Sequence, residues 1–370
     1  MTERDNAAGE VLERTAQETS PEVGQTAVPA RPSKRARRRV ADTTFNGLAI
    51  GAGAFIILIL GAVFIFLLLE SYPAFIAGKE DISGTADFTK GMGFWQYAGA
   101  ALFGTVLSAL LALALAVPFA VAIALFISHF AHRRFASVLG YIIDLLAAIP
   151  SVVFGLWGIR TLEPIVRPVF EWVSSVLTPP LQWWVDHVPF MGEEGGLAQF
   201  DWWPLQPSLV AFTPPARNIM MGGLVLAIMI LPIITSLCRE VFLQTPKLLE
   251  EAALGLGATR WEMIKMTVLP VGRSGIVSAA MLGLGRALGE TMALLMVLSA
   301  GLQVNFNLFS PGQHSTIASQ IALNFPEAHP GLQRQVLIGI GLMLFALTFV
   351  VNWLARRVLA RYAEFSGANA

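Results

Sequence analysis

The chain has 370 residues, 55% of them hydrophobic and only 14% charged, with no net formal charge. A soluble domain carries about 25% charged residues, so this composition, with a mean hydropathy of +0.63, excludes an ordinary soluble enzyme and places the chain in a membrane. Zero net charge gives no field for nucleic acid, and the single cysteine, Cys238, excludes an intrachain disulfide and reads as a small buried hydrophobe.

Residues 1–44 lack apolar periodicity and have the composition of a disordered tail. Six basic residues between Arg31 and Arg39 read as a topogenic flank attracted to anionic lipid, in preference to a nucleic-acid patch. The first apolar run starts too late and is too long for a cleavable signal peptide. Residues 45–69 are expected to be the first span, since about 20 apolar residues cross a bilayer. A polar loop completes a leading unit at 45–90, ahead of a core at 91–361. Residues 97–127 predict one long helix kinked at Pro118. A short turn follows, with His129 and His132 expected in solvent beside Arg133 and Arg134. Residues 137–157 predict a third span carrying Asp144 and Pro150. Residues 160–216 hold Trp172, Trp183, Trp184, Trp202 and Trp203. They predict an outer insertion of short helices at the headgroup layer, or a docking surface for an extracytoplasmic partner. Spans are expected at 219–237, 276–300 and 336–354, giving an all-α integral membrane protein with six transmembrane helices. Of 25 lysines and arginines, 18 fall on the side that holds both termini if the amino terminus is inside. That bias predicts cytosolic N and C termini and a cytosolic segment between the fourth and fifth spans.

That segment, residues 245–270, is polar where its neighbours are apolar. Thr245-Pro246 reads as an N-cap followed by proline at the first helical position. Leu248, Leu249, Ala252, Ala253 and Leu256 recur at helical spacing, and Gly255 and Gly257 end the helix. Thr259 and Glu262 form a capping box that starts a second helix. It carries Trp261, Ile264 and Val268 and is expected to stop near Pro270. Glu251-Ala252-Ala253, then Gly257, then Thr267 and Leu269-Pro270, resembles the EAA signature of ABC importer permeases, with Thr267 where that pattern has isoleucine. The resemblance implies a type I importer permease fold. It also implies that Glu251, Ala252, Ala253, Leu254, Gly255, Gly257, Ala258, Thr259 and Trp261 couple the chain to a cytosolic ATPase dimer.

Within the fifth span, Gly283 to Leu295 reads GLGRALGETMALL. An unbroken helix puts Arg286 and Glu290 on one face at i, i+4. A charge in hydrocarbon costs at least ~2.5 kcal/mol on insertion scales, so it faces a partner or a wet cavity. Either the two form a structural ion pair, or Arg286, whose planar fork matches an oxyanion, receives a solute. Gly283, Gly285 and Gly289 read as helix-packing positions. No residue set suggests catalysis: there is no nucleotide-binding loop and no metal-ligand spacing among the five histidines.

The run from Gly285 to Thr291, GRALGET, is similar to the fifth-helix motif of phosphate importer permeases. The stretch from Asp144 to Gly158 is similar to their third-span motif. The resemblance implies passage of inorganic phosphate past Arg286 and Glu290; Asp144 either lines the same path or pairs with a neighbouring helix. It further implies a homologous permease chain, an extracytoplasmic phosphate-binding protein, and ATP and Mg held by the partner ATPase. Another oxyanion such as sulfate or molybdate is the alternative solute. An ion-gradient transporter predicts inverted repeats and leaves the 245–270 hairpin without a role, and a membrane sensor predicts copurification with a kinase in place of an ATPase and a second permease.

Overall fold

In the computed structural model, residues 34–187 and 207–363 are described, and all their regular structure is helical. Trp202, Trp203 and the tail before Lys34 lie outside the described residues. Two compact units divide the chain at Gly61. Within the first, the described residues 34–61 belong to helix α1 (Lys34–Ile76). This helix starts inside the segment expected to be a disordered tail. The KRARRR run that opens it is made of good helix formers.

The second unit holds the remaining helices. They are α2 (Lys79–Thr85), α3 (Phe94–Leu125), α4 (Arg133–Ala147), α5 (Ser151–Trp157), α6 (Glu163–His187), α7 (Ile219–Leu243), α8 (Lys247–Gly255), α9 (Arg260–Met263), α10 (Leu269–Leu288), α11 (Met292–Val297), α12 (Ile317–Asn324) and α13 (Leu332–Ala363). Among the described residues, five stretches are long and apolar enough to cross a membrane, and six if the bent pair of α4 with α5–α6 is one span.

The centre of this unit is α3 against α7. Ala109, Ala112, Ala116, Ala120 and Ala124 are all buried. Their spacing of three or four residues makes one flat stripe along α3. Small side chains let two backbones approach where lipid supplies no hydrophobic drive between helices. α10 packs on α7 and also touches α3, and α13 closes against α10. A second core gathers Ile82, Phe94, Tyr97, Leu337 and Ile340.

Four sequence expectations are corrected here. The third span is not continuous: α4 ends at Ala147, and α5 starts after Pro150 at a bend of 92°. Proline disfavours the helical conformation for Ile149 and itself sits extended at φ −60°, ψ 140°. Residues 160–187 are not short separate helices. α5 runs through a π-helical turn into the 25-residue α6 despite Pro168, Pro179 and Pro180. Burial of Phe170 and Val185 and the 2.6 Å Arg167–Glu163 ion pair hold it. His129 does not stand in solvent. Its Nδ1 lies 2.7 Å from Ser128 Oγ and its Nε2 3.5 Å from a Glu250 carboxylate oxygen. The second arm of the hairpin does not stop at Pro270. A π-helical turn at Ile264–Val268 leads directly into α10. The wider turn moves backbone carbonyls away from the positions where a proline ring clashes, so the helix passes through.

Candidate functional site: a surface hairpin and a broken helix

The hairpin is built by local rules. α8 is capped by Pro246 at φ −61°, ψ 121°, not by Thr245, whose hydroxyl is buried without a hydrogen-bond partner. Proline's missing N–H costs nothing at a helix start, so the boundary moves one residue on. At the other end, Leu256 N donates to Ala252 O (3.1 Å), Gly257 N to Leu254 O (3.0 Å) and Ala258 N to Ala253 O (3.2 Å). These bonds satisfy carbonyls that the helix leaves open. Gly257 turns the chain at φ +88°, where a Cβ is strained. Thr259 then accepts from Glu262 N (3.4 Å), while Glu262 accepts from Thr259 N and Oγ1 (both 2.8 Å).

Only Ala253 of the EAA triplet is buried; Glu251, Ala252, Leu254 and Gly255 are exposed. Leu248, Ala252 and Leu256 share one helix face at i, i+4, i+8, and all three are open, Leu256 at 90%. The three form an exposed apolar stripe on a short polar hairpin. The His129–Glu250 pair ties α8 to the end of α3. Trp261 is half exposed, with Lys265 Nζ 5.3 Å from its ring centroid. It lines an apolar cavity of about 540 Å³ together with Pro118, Val121, Phe126, Phe130 and Leu269.

The fifth span breaks where the charged motif lies. α10 ends at Leu288, Gly289 follows at φ −91°, ψ 2°, and α11 begins at Met292. Arg286 and Glu290 are therefore not on one continuous helix face, and among the described residues no ion pair joins them. The expected i, i+4 register is lost because Glu290 takes a different partner. Its Oε1 accepts from Ala293 N at 3.0 Å, and the side chain is buried as a cap on α11. A carboxylate suits the unpaired N–H groups of a helix start.

The glycines of this motif face two ways. A Cβ on Gly283 stands 2.7 Å from Ile234 Cδ1, so Gly283 lets α10 close on α7. Gly285 and Gly289 are exposed, with no atom of another helix near a Cβ there. Arg286 lies between them, also exposed. Asp144 is exposed on α4, on the other motif that the sequence singles out.

The two motifs meet through their second halves. α11 packs against α5, and a Cβ on Gly155 would sit 3.0 Å from Ala293 Cα. Sequence reading missed Arg217, which donates from Nη2 to Met296 O (2.8 Å) at the far end of α11 and whose carbonyl accepts from Ser299 N (3.0 Å). Its only sequence signal is its place beside Asn218, whose side chain caps α7 by accepting from Met221 N (3.0 Å). Beyond α11 a loop leads to α12, which is itself tied to α3 by buried polar groups. Thr105 Oγ1 accepts from Ile317 N (2.9 Å), and Tyr97 donates to Gln320 Oε1 (3.2 Å). In that loop burial holds the His314 imidazole below its usual pKa.

Residues 116–364 match the family described as binding-protein-dependent transport system inner membrane component. The phosphate transport system permease protein PstC 2 of Mycobacterium tuberculosis is 41% identical over 335 residues, covering 90% of this chain and 94% of that protein. PstC of Mycobacterium leprae is 42% identical over 80% of this chain and 85% of its own length. PstC of Mesorhizobium japonicum is 32% identical over 93% and 99%. Among solved structures, an inward-facing MetNI methionine ABC transporter covers 73% of this chain and 94% of its own, with 15% identity and a TM-score of 0.42.

Proposed function

The chain belongs to the binding-protein-dependent transport system inner membrane components, among the PstC-type permeases, and from that premise we propose that it passes inorganic phosphate across the plasma membrane as one half of an ATP-driven importer. Identity of 41–42% over most of the chain with permeases named for phosphate transport is the observation that carries the solute.

The proposed path runs beside the exposed Gly285–Arg286–Gly289 edge of α10. A homologous, PstA-like permease chain covers that edge, and the phosphate moves between the two. Arg286 meets the oxyanion with a planar fork of donors. Exposure of Arg286 in the single chain supports this reading, since a span arginine facing lipid is costly. Asp144 sits on the motif whose second half, α5, packs on α11, and it is proposed as a further lining residue. Glu290 reaches the solute through α11, which it caps.

Both termini and the hairpin are proposed to face the cytosol, following the lysine and arginine distribution. There a dimeric ATPase, which holds ATP and Mg, seats the open Leu248–Ala252–Leu256 stripe and its flanking EAA residues. The His129–Glu250 pair and the unbroken run from α9 into α10 give its stroke two routes, to α3 and to α10. A binding protein delivers phosphate on the opposite face. The test is phosphate uptake by proteoliposomes holding the complex of this chain with its second permease and ATPase. Uptake driven by ATP and competed by unlabelled phosphate but not by sulfate or molybdate is expected; sulfate competing equally overturns the solute.

A further inference from the structure

We propose that Arg217 is a positioning residue for transport: it clamps the C-terminal end of α11 and so sets the placement of the broken helix that carries Arg286 and Glu290. The inference rests on the reading of that helix as the solute path, and it adds a residue that neither charged motif contains.

α11 has only six residues, and so short a helix has no stability of its own in isolation. Its position is decided by what holds its two ends and its packed face. The face lies on α5, where Gly155 admits Ala293. The start is held by Glu290 Oε1 on Ala293 N (3.0 Å). The end is held by Arg217. Its guanidinium donates to Met296 O at 2.8 Å, and its backbone carbonyl takes Ser299 N at 3.0 Å. Met296 O is one of the carbonyls a helix end leaves unsatisfied, and a cation there also meets the negative end of the helix dipole. Arg217 itself is fixed from behind. Asn218 caps α7 and donates to Phe309 O at 2.7 Å, and Ala216 N donates to the buried Glu163 at 3.1 Å. The clamp is therefore anchored on α6 and α7, outside the segment it holds.

The fork is half used. Nη2 is bonded, while Nε beside it is buried with no acceptor among the described residues. A single charged hydrogen bond is strong enough to hold a short helix and weak enough to be released in a cycle. Arg217 thus acts on the path through α11, at the end opposite to Glu290.

The experiment uses the assembled complex in proteoliposomes with Arg217→Ala, Arg217→Gln and Arg217→Lys. Two readouts are taken: phosphate uptake kinetics, and backbone hydrogen exchange of the α11 and hairpin peptides. The expected result for Arg217→Ala is a Vmax lowered about tenfold with KM within about twofold, since only placement is lost. Exchange across 292–299 should rise about tenfold, with the 247–263 hairpin unchanged. Arg217→Lys should restore most of Vmax, because it keeps a charged donor for Met296 O, and Arg217→Gln should restore part. KM raised about tenfold with α11 exchange unchanged would make Arg217 a solute contact and overturn the proposal. Exchange raised throughout α7 and α3 would make it a residue of general stability, with the same consequence. Unchanged uptake and exchange would overturn it outright. The exchange arm needs no phosphate, so failure of the wild-type complex to move phosphate would sink the solute assignment and leave the clamp to be judged on exchange.

Discussion

The hairpin turn and the break in the fifth span are two solutions to one local problem. Each is a glycine followed closely by a threonine and an acid, between a helix that ends and one that starts. At 257–262 the glycine takes φ +88°, and the acid reaches back to its own cap residue. At 289–293 the glycine stays at φ −91°, and the acid reaches forward to Ala293 N. The first turn is specified by residues within a few positions and stands in the open. The second is specified by what α11 lies against: α5 on one side and Arg217 at its end. Local chemistry therefore sets the proposed coupling surface, and tertiary packing sets the proposed path.

The sharpest way to break that comparison is to remove Arg286, the charge proposed to meet the solute. Arg286→Ala is expected to lower phosphate uptake about 100-fold or more with the complex still assembled, because a charged hydrogen-bonded contact is worth about 1.5–3 kcal/mol and more than one is lost. Uptake kinetics beside co-purification of the ATPase check it. Normal uptake would reduce Arg286 to structure.

The next contrast is between the glycines. Gly257→Ala forces a Cβ onto a left-handed backbone, costing about 1–2 kcal/mol, and is expected to weaken ATPase association about tenfold in a pull-down titration. Gly289→Ala meets only ordinary contact, 3.8 Å to Gly285 O, at an ordinary φ. It should leave the single chain folded and disturb only the pairing with the second permease. Equal loss of ATPase binding in both variants would erase the distinction.

This asymmetry also says what is legible in the sequence. The capping box and Gly257 can be read because caps and turns are decided by neighbours three or four positions apart. The break at Gly289 cannot. No proline marks it, and the helical period of an unbroken span assigns Glu290 to Arg286. The same assumption of continuity joins α4 to α5, although there Pro150 is a visible warning. Conversely Pro270 suggests a stop that the π-helical turn at 264–268 removes. His129 is misplaced by sequence alone because its partner, Glu250, lies in another element. Arg217 is invisible for the same reason: its acceptor is 79 positions away.

Glu290 tests whether the break is a packing device or part of the chemistry. Glu290→Gln keeps an oxygen to accept from Ala293 N, whereas Glu290→Ala removes the cap at a cost of about 1 kcal/mol. With Glu290 acting through α11, the glutamine variant should keep uptake within about twofold, and the alanine variant should lose about fivefold, since about 1.4 kcal/mol is tenfold. Equal loss in both would show that the charge itself meets the solute.

The smallest expected effect lies in the first region, where the comparison predicts that damage stays local. Thr259→Ala deletes the hydroxyl that accepts from Glu262 N and donates to Glu262 Oε2. The site is exposed, so water replaces part of what is lost, and a cap of this kind is worth about 0.5–1 kcal/mol. The start of α9 should fray, with hydrogen exchange at 260–263 rising about two- to fivefold. Exchange in α10 should not change, because the π-helical turn and the packing of Gly283 on Ile234 hold that helix independently of its cap. Uptake should fall by less than half. If exchange at 283–293 rose in step with that at 260–263, the hairpin and the break would be one cooperative element, and packing alone would not place α11.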